Sequence, residues 1–315
     1  GGSFNECTYT QDNDPTTIIL TADISLDEII DADATFGDTG TTAVDSQIII
    51  NGMNNSGPNF SISRYSISGC IFTGSNDPLF RLMRVTAAGD LSLTNVTLSN
   101  GCAEANSASF PFGGGGSVYN SGTLSLFDVM IKDNESAGLG GGVFNTGTIS
   151  SVENSRFENN LADRSGGAIF VDRDDSLGMI TNSQFINNIA EGNGFGGAIS
   201  LDTGASLSGI TDSYFKGNTA SDGGGIFSTD SNFTITGSTF ADNAANTDNS
   251  QRGGAILMDD GAITINNSTF SGNSAIKGGA FYNDYGSLKL NNATFADNSA
   301  PNQGGVVFLG ELGSS

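Results

Sequence analysis

Residues 252–275 read RGGAILMDDGAITINNSTFSGNSA. The stretch before, residues 223–245, reads GGGIFSTDSNFTITGSTFADNAA, and the stretch after, residues 277–300, reads KGGAFYNDYGSLKLNNATFADNSA. All three write a glycine pair and an apolar residue, then an Asn/Ser/Thr-rich run, then F-x-x-N. Working outward, the Phe position recurs as Ile131, Phe157, Phe185, Phe215, Phe240, Phe270 and Phe295. Three residues later stand Asn134, Asn160, Asn188, Asn218, Asn243, Asn273 and Asn298. The apolar residue after the glycines recurs as Val118, Val143, Ile169, Ile199, Ile226, Ile256, Phe281 and Val307.

The period is 25 to 30 residues. From the second apolar series to the Phe series the spacing holds at 13 to 16 residues, whereas from the Asn to the next glycine pair it drifts between 5 and 10. Each unit therefore has a fixed part and a loop of free length, and a fixed period of this size marks a solenoid. The fixed part alternates apolar and polar residues, as at Leu124 and Leu126, Ile263 and Ile265, Leu288 and Leu290, which is the strand period. Ser, Thr, Asn and Gly dominate it, and these are poor helix formers. The repeat thus predicts an all-β, right-handed parallel β-helix of ten or eleven rungs, three short strands to a coil. Rungs stack at about 4.8 Å, so identical residues form columns. The Phe column stacks in the core. The Asn column builds a corner ladder of side-chain amides on a left-handed turn.

The paired signatures GGAI and FxxN resemble the repeats of chlamydial polymorphic outer-membrane proteins, and also bacterial surface proteins with a right-handed parallel β-helix. The likeness runs through residues 113–310, and FSISRYSISGC and LSLTNVTLSNGC extend it more weakly back to residue 60. It implies an extracellular, passenger-type domain concerned with adhesion or surface display, and brings no catalytic residue. Residues 1–59 read as an N-terminal cap with irregular first rungs, continuous with the repeats of 60–315 in one domain.

Composition narrows the chemistry. There are 315 residues with 34 acids against 11 bases, a formal charge of −23. Such a surface repels nucleic acid and anionic lipid, and no apolar run reaches the 18 to 20 or so residues a membrane helix needs. There is no His, which removes the commonest general base and metal ligand. The glycine runs, such as Gly113 to Gly116, lack the following helix and the Lys of a phosphate loop; they mark turns.

Five aspartates follow the GGAI strand: Asp172, Asp202, Asp230, Asp259 and Asp284. Stacked acids repel. They splay into water at a turn, or a hard cation such as Ca²⁺ bridges them through oxygen. No other cofactor is required. The same acids admit an alternative, a carbohydrate-active β-helix enzyme, since a glycosidase needs two carboxylates at a set separation. The scattered bases disfavour a lyase acting on acidic sugars, and the absence of Trp weakens a sugar-stacking cleft. One residue beyond the GGAI apolar series lies an aromatic column: Tyr119, Phe144, Phe170, Phe227, Tyr282 and Phe308, interrupted by Ser200 and Leu257. Strand side chains alternate faces, so this column points outward as a candidate contact surface, unless the variable loops fold over it.

Cys70 and Cys102 fall at matching places in adjacent rungs and can form a disulfide, with Cys7 left over; pairings with Cys7 stay open. The last rung, Val306, Val307, Phe308 and Leu309, is as apolar as the interior ones, although terminal repeats are normally polar. Either the chain continues beyond it, or a second copy stacks head to tail there. The function expected on these grounds is a stiff, acidic, non-enzymatic surface rod. Its partner is itself or a cell-surface ligand.

Overall fold

The computed structural model describes residues 16–26, 43–53, 59–65, 70, 79–104, 113–246 and 251–310. Cys7 and much of the expected N-terminal cap lie outside these residues. Every regular element among them is a strand, and every strand pairing is parallel. The strands form four sheets, of nine, ten, ten and six members, stacked as a β-solenoid.

One turn shows the path. Ile169–Val171 leads to Ser176–Thr181, then to Gln184–Ile186, then to Ile189–Ala190, and the chain re-enters the first sheet at Ile199–Leu201. Among the described residues, six turns thus carry a fourth strand beyond the three expected, a two-residue piece that, from Glu135–Ser136 to Ala244–Ala245, comes directly after the FxxN asparagine. Its second residue is small and buried: Ser136, Ala162, Ala190, Ala220 and Ala245. A side chain of that size lets the backbone close tightly before the variable loop begins. The strand Thr16–Ile19 pairs with Gln47–Asn51, and that with Asp90–Thr94. The described part of the cap segment therefore continues the same sheet.

Register puts like on like. Phe157, Phe185, Phe215, Phe240, Phe270 and Phe295 are direct cross-strand neighbours. Their ring centroids lie 4.8, 4.6, 4.6, 4.9 and 5.2 Å apart. The rung spacing leaves almost no choice of geometry: a ring repeated every rung in one rotamer must stack face to face. The GGAI apolar residues line the opposite wall and are fully buried as far as Phe281.

The asparagine ladder runs through the corner between these walls. Asn160, Asn188, Asn218 and Asn243 each donate a side-chain N–H to the Oδ1 of the next rung's asparagine at 2.9–3.0 Å. The same Oδ1 also accepts the backbone N–H of the donor residue. The left-handed residue of the corner is the one before, not the asparagine as expected. Asp133, Asn159, Asn187, Gly217, Asp242, Gly272 and Asp297 all have φ between 53° and 66°. The turn needs positive φ one step earlier, which leaves the ladder asparagine free to aim inward.

A second ladder escaped the sequence reading. The backbone N–H groups of Ser155, Ser183, Ser213 and Ser238 each bond the Oγ of the serine one rung on, all at 3.1 Å. These serines are buried. Serine is common throughout this chain, so its recurrence before the Phe strand did not stand out.

Candidate functional site

The aromatic column does face away from the main core. Tyr119, Phe144 and Phe170 form a separate small cluster with Leu139. It is not, however, the open stripe expected. Phe144 is fully buried, and Tyr119, Phe170 and Tyr282 are nearly so. The variable loops cover it.

The covering residue stands directly before each glycine pair. Phe195, Asp222, Arg252, Lys277 and Gln303 align rung by rung through isolated parallel bridges, and Leu139 and Ser165 hold the same place in earlier turns. The following glycine has positive φ, 64° at Gly196 and 65° at Gly253, which folds the loop back over the strand. Each large covering residue reaches the ring of the next rung. Phe195 stacks on Phe227 at 4.7 Å. The Arg252 guanidinium lies over Tyr282 at 5.2 Å, and the Lys277 ammonium over Phe308 at 5.9 Å. Arg252 is tied down by Asp222, a carboxylate only 1 % exposed. Its Nη2 and Nε donate at 2.9 and 3.3 Å, and its backbone N–H donates at 2.8 Å.

One place breaks the pattern twice. The column residue is Ser200 where its neighbours are Phe170 and Phe227, and the covering residue one turn earlier is Ser165 rather than Leu, Phe or Arg. Two small residues therefore line the same gap, and a cleft of about 960 Å³ opens between Phe170 and Phe227. Leu139, Phe170, Phe195 and Phe227 form its apolar walls, and Asp163, Arg164, Asp172, Arg173, Asn193, Asp202 and Thr229 rim it. Phe195 and Phe227 are half-buried, so their rings remain partly open to a ligand. The Ser165 hydroxyl accepts the Phe195 N–H at 3.1 Å, fixing the loop that carries that wall.

The cleft's charges are mixed. Arg173 Nε donates to Asp202 Oδ2 at 3.2 Å, and Asp202 Oδ1 accepts the Thr203 N–H at 2.8 Å. Burial pushes the Asp163 carboxyl above the usual range. On the neighbouring short strand Glu135 rises to about 7, from burial and then from repulsion by Asp163 and Glu191.

Of the five aspartates expected to form a row, the cleft gathers Asp172 and Asp202. Asp230 accepts the Gly204 N–H at 2.9 Å. Asp284 lies 3.7 Å from Arg252. The Asp259 carboxyl is pushed up by burial and then by Asp284. Among the described residues, no three acidic or sulfur side chains group closely enough to hold a metal ion. Cys70 and Cys102 are disulfide-bonded with Cα atoms 5.8 Å apart. Val307, Phe308 and Leu309 pair with Phe281, Tyr282 and Asn283, and Leu309 is exposed. The covering position was visible in the sequence as the variable residue before each Gly-Gly. Nothing local revealed that it reaches the next rung.

Residues 154–172, 212–229 and 267–284 each match the Chlamydia polymorphic membrane protein repeat. Every matched segment runs from the FxxN strand through the corner into the glycine-pair strand, so it spans the asparagine ladder and the covering residue together. No curated protein and no solved structure matches the chain.

Proposed function

We propose that this chain, a parallel β-helix carrying repeats of the Chlamydia polymorphic membrane protein type, is a surface-displayed rod that adheres through one lateral cleft. The repeat family is one of surface proteins, which supports the location. The cleft itself carries the adhesion reading. Among the described turns, this is the one where a serine at the covering position, Ser165, coincides with a serine in the column, Ser200. A purely structural rod has no use for that gap, because a bulky residue at either position would fill it and bury more apolar area. Ligand pockets typically measure about 300–1,000 Å³ and combine apolar walls with a few polar groups, and this cleft fits that description. The ligand is bound rather than cleaved.

The test is adhesion of protein-coated beads to cultured epithelial cells. Ser165→Leu places in the gap the side chain that Leu139 already provides one turn earlier. It is expected to cut bead binding at least fivefold while the melting temperature stays within a few degrees. Equal adhesion by both coatings would overturn the reading, and release of cleaved product from a bound ligand would overturn its non-enzymatic part.

A further inference from the structure

We infer that the cleft takes a neutral glycan, with one sugar ring laid on the outer face of the stacked Phe195–Phe227 pair. This rests on the adhesion reading above and names its ligand. The two rings lie 4.7 Å apart and 19° from parallel. Both are half-buried and line the cleft. A pyranose presents a face of C–H groups, and such a face buries against an aromatic floor without leaving polar atoms unpaired. The absence of Trp, which weakened this idea at the level of sequence, is offset here by a phenyl face held in place by its stacking partner.

The rim selects the charge. Sugar hydroxyls donate and accept at once, so they need both kinds of partner close together. Carboxylates at Asp163 and Asp172 accept, the guanidinium of Arg164 and the amide of Asn193 donate, and the Thr229 hydroxyl does either. An acidic polysaccharide meets those carboxylates and a chain of net charge −23. A basic peptide is drawn in by the net charge but meets Arg164 and Arg173 on the same rim. A neutral polyhydroxylated ligand satisfies both signs and is repelled by neither.

The experiment is a printed glycan array of neutral and acidic glycans, probed with the intact protein, followed by calorimetry on the strongest hits and on hexalysine and hexagalacturonate. Binding to neutral glycans is expected. It should weaken at least tenfold in Ser165→Leu and in Phe195→Ala, with both variants checked for an unchanged circular dichroism spectrum. Ser165→Leu fills the gap but also removes the hydroxyl that accepts the Phe195 N–H. Ser200→Phe, which fills the gap from the column and leaves that hydrogen bond in place, is therefore included and should lose binding equally. Retained binding in Ser200→Phe would overturn the inference. Three further results would also overturn it: no neutral glycan bound, neutral binding indifferent to both substitutions, or cleft-dependent binding of hexalysine or hexagalacturonate instead. If beads still adhere to cells and lose adhesion in Ser165→Leu while the array stays blank, the glycan falls and the adhesive cleft stands. If adhesion is also indifferent to Ser165→Leu, the cleft reading itself falls.

Discussion

Phe195 reaches out of a loop to stack on Phe227, a residue of the following rung, with 4.7 Å between ring centroids. The separation equals the rung spacing, so Phe195 supplies beside Phe227 the ring that Ser200 leaves out of the column. The cleft wall is thus assembled from two turns, and its stability and its binding surface depend on the same contact. Phe195→Ala is expected to cost about 1–2 kcal/mol, since it removes a half-buried ring and one stacked pair. Phe195→Leu should recover most of that stability without restoring the flat floor. Urea unfolding of both variants, set beside glycan calorimetry, separates the two roles.

Asn188 sits mid-ladder. Its Nδ2 donates to Asn218 Oδ1 and to the Phe157 carbonyl, both at 3.0 Å, while its Oδ1 accepts two N–H groups of Asn160. All of these atoms are buried. Asn188→Ala strands donors and an acceptor at once and should cost on the order of 3 kcal/mol. Asn188→Asp should be no better, because a carboxylate accepts but cannot donate to Asn218 or Phe157. Asn298→Ala, at a half-buried position near the last rung, should cost markedly less. Denaturant midpoints for the three variants check the order.

Glu135 makes stability depend on pH. Its carboxyl is raised to about 7 in the folded chain from an ordinary value of 4.5, by burial first and then by Asp163 and Glu191. A raised folded value means that the native state holds a proton that the unfolded chain releases. The stabilisation is full below about pH 4.5 and is lost as pH rises through 7. Asp175, raised to about 6 by burial and then by Asp172 and Asp174, acts in the same direction. Glu135→Gln should therefore raise the melting temperature at pH 8 and leave it unchanged at pH 4.5. A melt difference equal at both pH values would contradict this.

Calcium should have little to hold. Asp202 is bonded to Arg173 and Thr203, Asp230 to the Gly204 N–H, and Asp284 lies beside Arg252. Binding to the native state alone would raise the melting temperature by mass action. The expected result is the same melt in millimolar Ca²⁺ and in chelator. A clear rise with Ca²⁺ that is lost in Asp202→Asn or Asp259→Asn would show instead that the aspartate row binds the cation.

The parts of this protein written in its sequence are those the repeat enforces. Parallel rungs bring residues 25 to 30 positions apart into direct contact, so a recurring Phe announces a stack and a recurring Asn announces a ladder, as the chain from Asn160 to Asn243 bears out. The serine ladder was there too, hidden by the abundance of serine. The solenoid, its core walls and its register follow from the repeat spacing, because a fixed spacing repeated many times has few other ways to bury its apolar face. Where the loops go depends on the folded backbone. Their lengths vary, so no period predicts that Phe195 covers Phe227, that Arg252 covers Tyr282 under the hold of Asp222, or that Ser165 and Ser200 line one cleft. These are contacts between a loop of one turn and a strand of the next, set by backbone closure over the outer face and not by which residues share a column.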